Sequence, residues 1–178
     1  MTEYFVLTPG DRAPRASSLH ERESVWALLD APGLPLVDPP RLTWRLSTGD
    51  RPVGWCATAD RVRVLSTPLR DLLVSNAGPD DEMQWIDCEL RDLDGRSIPG
   101  WSVLHFPTSP AVLDDELSTW GPSGVPMRWV LSRERVAGKK VFGIVGVQNQ
   151  VLVEGDLLAE IRSAGLDRGI LATPARID

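Results

Sequence analysis

The stretch Val141 to Pro174, VFGIVGVQNQVLVEGDLLAEIRSAGLDRGILATP, constrains the fold of this chain more than any other. An apolar run from Val141 to Val147 is interrupted by Gly143 and Gly146. It passes through a polar turn into a second short strand, Val151–Val153. Leu157, Leu158 and Ile161 then recur at helical spacing, with Glu160 and Arg162 left to face water. Asp156 or Glu154 suits the positive end of that helix, and Gly165 stands where a residue past the C-cap belongs. Ile170–Ala172 closes the stretch as a strand. A strand–helix–strand unit is therefore expected, and the apolar run is far too short to span a bilayer.

The rest of the chain is read outward from that unit. EYFVLT, from Glu3 to Thr8, is an expected strand ended by Pro9-Gly10-Asp11, and residues 12–18 read as loop. Residues 18–30 leave a short helix open, with Leu19, Val25, Trp26, Leu28 and Leu29 on one side. Pro35–Pro40 reads as an extended surface crossing. Leu42, Trp44 and Leu46 alternate with polar residues, which predicts a half-buried strand. RVRVL, from Arg61 to Leu65, predicts another. Thr67 is placed to cap a helix with Pro68 at its first position, running to about Asn76 along Leu69, Leu72 and Leu73. Glu82–Leu90 should turn its Ile86, Cys88 and Leu90 inward. It should pair antiparallel with Gly100–Phe106 through the Asp92-Leu93-Asp94-Gly95 turn. Met127–Ser132 is a further expected strand, and Arg133–Lys140 an exposed connection.

The 178 residues fit one domain, 1–178, with a less regular part at 1–60 and a better patterned part at 61–178. Apolar and charged fractions of 42% and 25% argue against wholesale disorder. The fold class expected is α+β: a mainly antiparallel sheet with two or three short helices. The seven Trp are scattered along the chain, which suggests several core layers and not one aromatic platform. Cys56 and Cys88 read as two buried free thiols. The opening MTEYFVLTPGD lacks a basic region followed by a long apolar stretch, so no signal peptide is expected and a cytoplasmic location follows by default. A net charge of −6 argues against direct nucleic-acid binding and suits a basic partner.

The chain carries no nucleotide-binding glycine pattern, no serine elbow and no zinc spacing. His20 lies in a charged stretch and reads as solvated. His105 lies in an expected strand and reads as a satisfied histidine more readily than as a base. Three acidic groups stand out: Asp80-Asp81-Glu82, the pair Asp87 and Glu89, and Asp114-Asp115-Glu116. Carboxylates of this kind can act as acid and base, hold a metal, or meet a basic protein patch. Trp120 lies in an expected loop, where an indole can anchor an interface.

Three passages bear a family resemblance. RVRVLSTPLRDLL, FPTSPAVLDDELS and the run from Arg128 to Pro174 together resemble the bacterial immunity-protein family founded on a myxobacterial protein, once known only as a domain of unknown function. The match runs from about Arg61 to Pro174. The family usually has Ser near the start of its last helix, where Glu154-Gly155 stands here. The resemblance implies an antitoxin of a polymorphic toxin system that binds a cognate toxin domain and blocks its active site. Toxins of such systems are often nucleases, hence basic. It implies no catalytic residues, cofactor or metal, and no membrane partner. The candidate toxin-binding residues are Asp80, Asp81, Glu82, Asp114, Asp115, Glu116 and Trp120. The alternatives are a non-catalytic scaffold that binds a protein or small ligand, and a small carboxylate-dependent hydrolase using Asp114 and Asp115.

Overall fold

A computed structural model describes residues 2–20, 25, 34–49, 51–108, 110–144 and 147–178. The candidate helix at 18–30 lies mostly outside the described residues. Among the described residues, thirteen strands and two helices are delineated. They are β1 (Tyr4–Pro9), β2 (Arg15–Ser18), β3 (Leu42–Thr48), β4 (Trp55–Thr58), β5 (Val64–Ser66), α1 (Thr67–Ser75), β6 (Gln84–Arg91), β7 (Ser97–Ile98) and β8 (Trp101–His105). After these come β9 (Thr119–Trp120), β10 (Pro126–Arg128), β11 (Val141–Ile144), β12 (Val147–Glu154), α2 (Gly155–Ser163) and β13 (Ile170–Pro174). The fold is mostly β with short helices, and most strand pairs are antiparallel.

The main sheet closes on itself. Its order is β3-β2-β4-β5-β8-β6, and β6 returns to β3. Strand β6 does this by changing partners along its length. Gln84–Asp87 pair antiparallel with β8, and Cys88–Arg91 pair parallel with β3, Leu42 opposite Cys88 through Arg45 opposite Arg91. The sequence reading expected a sheet but did not anticipate a closed six-stranded barrel. The alternation it noted fills the lumen: Leu42, Trp44 and Leu46 from β3 meet Ile86, Cys88 and Leu90 from β6. Trp44 is fully buried and its indole N–H donates to Asp60 Oδ2 at 3.0 Å. Residues 15–18, read as loop, form β2, which pairs with β3 and, in parallel, with β4.

A second sheet, β11-β12-β1-β13, lies against the barrel wall. Its Leu7, Val141, Val151 and Val153 pack on Trp55, Leu65 and Leu104 from the outer face of the barrel. Helix α1 adds Leu69 and Leu73, and α2 adds Leu157, Leu158 and Ile161. Helix α1 starts one residue earlier than expected: Ser66 is its N-cap and Thr67 its first residue. Gly165, at φ +67°, ends α2 as its position in the sequence predicts. The opposite face of this sheet, with Tyr4, Phe142 and Leu152, is covered by Val112, Leu113, Leu131 and Val136. Strand β12 begins at Val147, four residues before the expected Val151, and it bulges. Between the Phe142–Leu152 and Ile144–Val147 pairs, one residue of β11 faces four of β12, and Asn149 takes a positive φ of +62°.

Arg63 fills that bulge. Its Nε donates to the Gln150 carbonyl at 2.7 Å and its Nη2 to the Val147 carbonyl at 3.2 Å, with the guanidinium 5.1 Å above the Phe106 ring centre. Gly143 leaves room for Phe106, since a Cβ there would collide with the ring. Burial lowers the Arg63 pKa to about 10, so it remains a cation at neutral pH. Two carbonyls that the ladder leaves over are satisfied by one barrel side chain. Arg63→Met should therefore cost about 2–3 kcal/mol, because it strands both acceptors; urea unfolding measures this, and an unchanged midpoint would contradict the brace.

At one end of the barrel, Gln84 and His105 hold the segment around Leu34–Leu36. Gln84 exchanges two bonds with the Leu36 backbone, at 2.9 and 2.8 Å, and His105 Nε2 lies 2.7 Å from the Leu34 carbonyl. Burial pushes the His105 pKa below the ordinary 6.5. The Leu34 carbonyl opposes that shift, and the Arg63 charge adds to it. The folded state thus prefers a neutral ring, and the unfolded chain takes up its proton first. Stability present above pH 6.5 should be lost as the pH falls through the lower folded value. Urea midpoints between pH 7.5 and 5.5 should decline for the wild type and decline less for His105→Gln.

Candidate functional site

The segment covering the second sheet carries a short hairpin, β9–β10, on a braced base. Leu113 forms a bridge with Leu131, and both are buried. The Val130 carbonyl accepts from the Asp114 N–H at 2.8 Å. Ser118 Oγ accepts from the Val130 N–H at 3.1 Å and donates to its carbonyl at 3.3 Å. Beyond Ser118 the two legs run together, with Trp120 opposite Pro126 and Thr119 opposite Arg128. The tip is a tight turn in which Gly121 N–H donates to Val125 O at 2.9 Å and Gly124 adopts φ +74°.

Four large apolar side chains stand exposed on this hairpin and its lead-in: Leu117, Trp120, Val125 and Met127. Trp120 is 48% exposed and Met127 77%, values that no packing requirement explains. The Met127 side chain lies against Gly121, beside Trp120 in the chain. The sequence reading singled out Trp120 but missed Val125 and Met127, because it assigned Met127 to a strand, Met127–Ser132, without reading which way it faces. That strand is shorter than expected, Pro126–Arg128, with Met127 facing out. The Gly121-Pro122-Ser123-Gly124 run between Trp120 and Val125 is itself a hairpin-tip signal.

The acidic candidates divide into two kinds. Asp81 is committed internally: its Oδ2 accepts from the N–H groups of Gly78, Lys140 and Val141 at 2.7, 2.8 and 2.8 Å. It thereby ties the approach to β6 onto the start of β11. Asp114 is also committed, its Oδ1 accepting from the N–H groups of Glu116 and Leu117 at 2.9 and 2.7 Å. Asp115 pairs with Arg135 at 2.8 Å, and Arg135 also donates to the Leu113 carbonyl at 2.6 Å. The Asp115 carboxylate holds the Arg135 pKa above its usual value. The side chains of Asp80, Glu82 and Glu116 are exposed and make no hydrogen bond or ion pair among the described residues. Both acidic groups flank one connection, residues 133–140. Arg135 meets the Asp115 end, while Lys139, whose Nζ donates to the Asp80 carbonyl at 3.3 Å, meets the other.

Tyr4 locks the same connection from beneath, its single hydroxyl proton shared between the carbonyls of Val136 and Lys139, which lie at 2.7 and 2.8 Å. Burial, with the charges of Glu154 and Asp81, pushes its phenol up to about 12. The two thiols, Cys56 and Cys88, are free and buried in the barrel. Burial is the main reason both are raised to about 12, which leaves them as poor nucleophiles at neutral pH. Asp87 is exposed, and Glu89 on the same face pairs with Arg91 at 3.0 Å. No described helix is long and apolar enough to cross a membrane. Neither a protein-family model nor a curated protein matches the chain.

The two kinds of carboxylate should separate under mutation. Asp81→Ala leaves three backbone donors without their acceptor and should cost about 2–4 kcal/mol. Asp80→Ala and Glu82→Ala should stay within about 0.5 kcal/mol of the wild type. Chemical denaturation of the three variants checks this, and equal midpoints would remove the distinction.

Proposed function

We propose that this protein is an immunity protein: a non-catalytic inhibitor that binds a cognate bacterial toxin domain and covers its active site. The observation that carries the reading is the β9–β10 hairpin, which presents Trp120, Met127, Val125 and Leu117 to solvent from a base tied down by Ser118, Asp114 and Arg135. A rigid aromatic anchor with apolar neighbours is the usual energetic centre of a protein interface. Glu116, and more distantly Asp80 and Glu82, add uncommitted negative charge that suits a basic partner such as a nuclease. The toxin class itself rests on the resemblance of residues 61–174 to the immunity family. The hydrolase reading is weaker, because Asp114 and Asp115, the carboxylates it needs, already hold the backbone and Arg135.

With three of the six acidic candidates committed internally, the interface should depend more on the indole than on charge. Mixed with the toxin domain encoded beside it, the protein should form a stable complex on size exclusion and abolish toxicity. Trp120→Ala should weaken that complex by about thirtyfold or more. Glu116→Gln should act chiefly on the association rate and its salt dependence. Failure of the wild type to bind the neighbouring toxin would sink the reading; retention of full affinity by Trp120→Ala would move the interface off the hairpin.

A further inference from the structure

The β9–β10 hairpin has two unlike faces. Cross-strand partners share a face of a ribbon, and successive residues alternate between faces. Trp120 lies opposite Pro126, and Thr119 opposite Arg128. Ser118 and Pro126 are buried, so the face that carries Trp120 turns toward the body, which half covers the indole. The other face looks out. Leu117 and Thr119 are exposed on it, and the bond from the Gly121 N–H to the Val125 carbonyl sets Val125 beside Gly121. Met127 belongs to it too, because a Cβ on Gly121 would lie 3.4 Å from Met127 Cγ. The register shift between Pro126 and Arg128 accommodates this extra residue. The outer face is thus an apolar strip of Leu117, Val125 and Met127 about Thr119, with one charge at the foot of each leg, Glu116 on the first and Arg128 on the second. Both charges are exposed, and neither makes an ion pair among the described residues.

An exposed apolar strip marks a surface that meets another surface, and its charges say of what kind. An anion on one leg and a cation on the other make the strip complementary to a copy of itself, which is the requirement for an isologous contact. We propose that a second copy of this chain docks here, outer face on outer face, about a two-fold axis running along the hairpin. The first leg of each copy then lies over the second leg of the other. Leu117, Val125 and Met127 form the apolar centre, and Glu116 of each copy meets the partner's Arg128 at the rim, the usual division of a homodimer interface. A hairpin this short falls below the ~800 Å² per partner of a standard interface, so the dimer is weak, with a dissociation constant on the order of 100 µM. Trp120, on the inner face, stays outside the contact. This contact needs no toxin; where a toxin also binds, the dimer shields the apolar strip until the toxin competes for it.

Sedimentation equilibrium of the full chain, from about 10 µM to about 1 mM, reads the association directly. The weight-average mass should climb from one chain toward two across this range. Met127→Glu, at an exposed position, should keep the chain monomeric, with a thermal melt verifying that it folds; if it does not fold, Val125→Lys replaces it. Arg128→Glu sets like charges against each other and should weaken the dimer by about tenfold or more, and Glu116→Arg should do the same. Combining the two reversals restores opposite charges across the two-fold, so the double variant should return to within about threefold of the wild type. Trp120→Ala should leave the dimer unchanged while weakening toxin binding, so the dimer and the toxin complex can fail separately. A chain that stays monomeric at the highest concentration overturns the proposal. So does a dimer that survives Met127→Glu, or a double reversal that is no tighter than either single one.

Discussion

The change of partner along β6 is the constraint on which the remaining architecture rests. Eight residues serve three neighbours: the first half pairs with β8, the second half with β3, and its last two residues also with β7. Closure at β3 removes the barrel's open edge and gives its two walls different tasks. Inward residues of β3 and β6 fill the lumen, while outward residues of β4, β5 and β8 become a platform for the second sheet and both helices. Were β6 four residues shorter, the Cys88–Arg91 ladder to β3 would be lost and the sheet would stay open.

The second sheet needs a different device, because β12 does not pair regularly with β11. Arg63, projecting from the barrel, supplies donors to the two carbonyls of the bulge and lies over Phe106. Asp81 does the complementary job at the other end of β11, offering one carboxylate oxygen to three N–H groups. A cation thus serves stranded acceptors and an anion serves stranded donors. Both are exchanges of charge for backbone satisfaction, and neither leaves the group available for chemistry. The same economy uses Asp114 and Arg135 to stiffen the base of the β9–β10 hairpin, so that apolar side chains at its tip stay exposed without the loop collapsing onto them.

Much of this was legible in the pattern of residues. Alternation identified β3 and β6 and their inward faces. Helical spacing, Pro68 and Gly165 placed both helices to within a residue or two, and the hairpin partnership of β6 with β8 followed from the Asp-Gly turn. What stayed hidden were partnerships between residues far apart in sequence. No local signal distinguishes an open sheet from one whose sixth strand meets its first, and residues 15–18 look like loop because RASS has neither length nor apolar alternation. The site shows the same division. Trp120 was legible as an indole among turn residues, but the three aspartates could not be separated from Asp80, Glu82 and Glu116, because composition alone does not reveal which carboxylate meets a backbone donor.

By itself, then, the sequence determined the local elements, their buried faces and the acidic, tryptophan-rich character of the chain. These depend on spacings of two to four residues, over which side-chain direction follows from backbone geometry. Only the tertiary structure decided that the sheet is a barrel, that Asp81 and Arg63 are braces, and that Met127 and Val125 join Trp120 in solvent. Each of those outcomes depends on contacts spanning tens of residues, and there the deciding quantity is whether a distant polar group finds a partner or an apolar one finds cover.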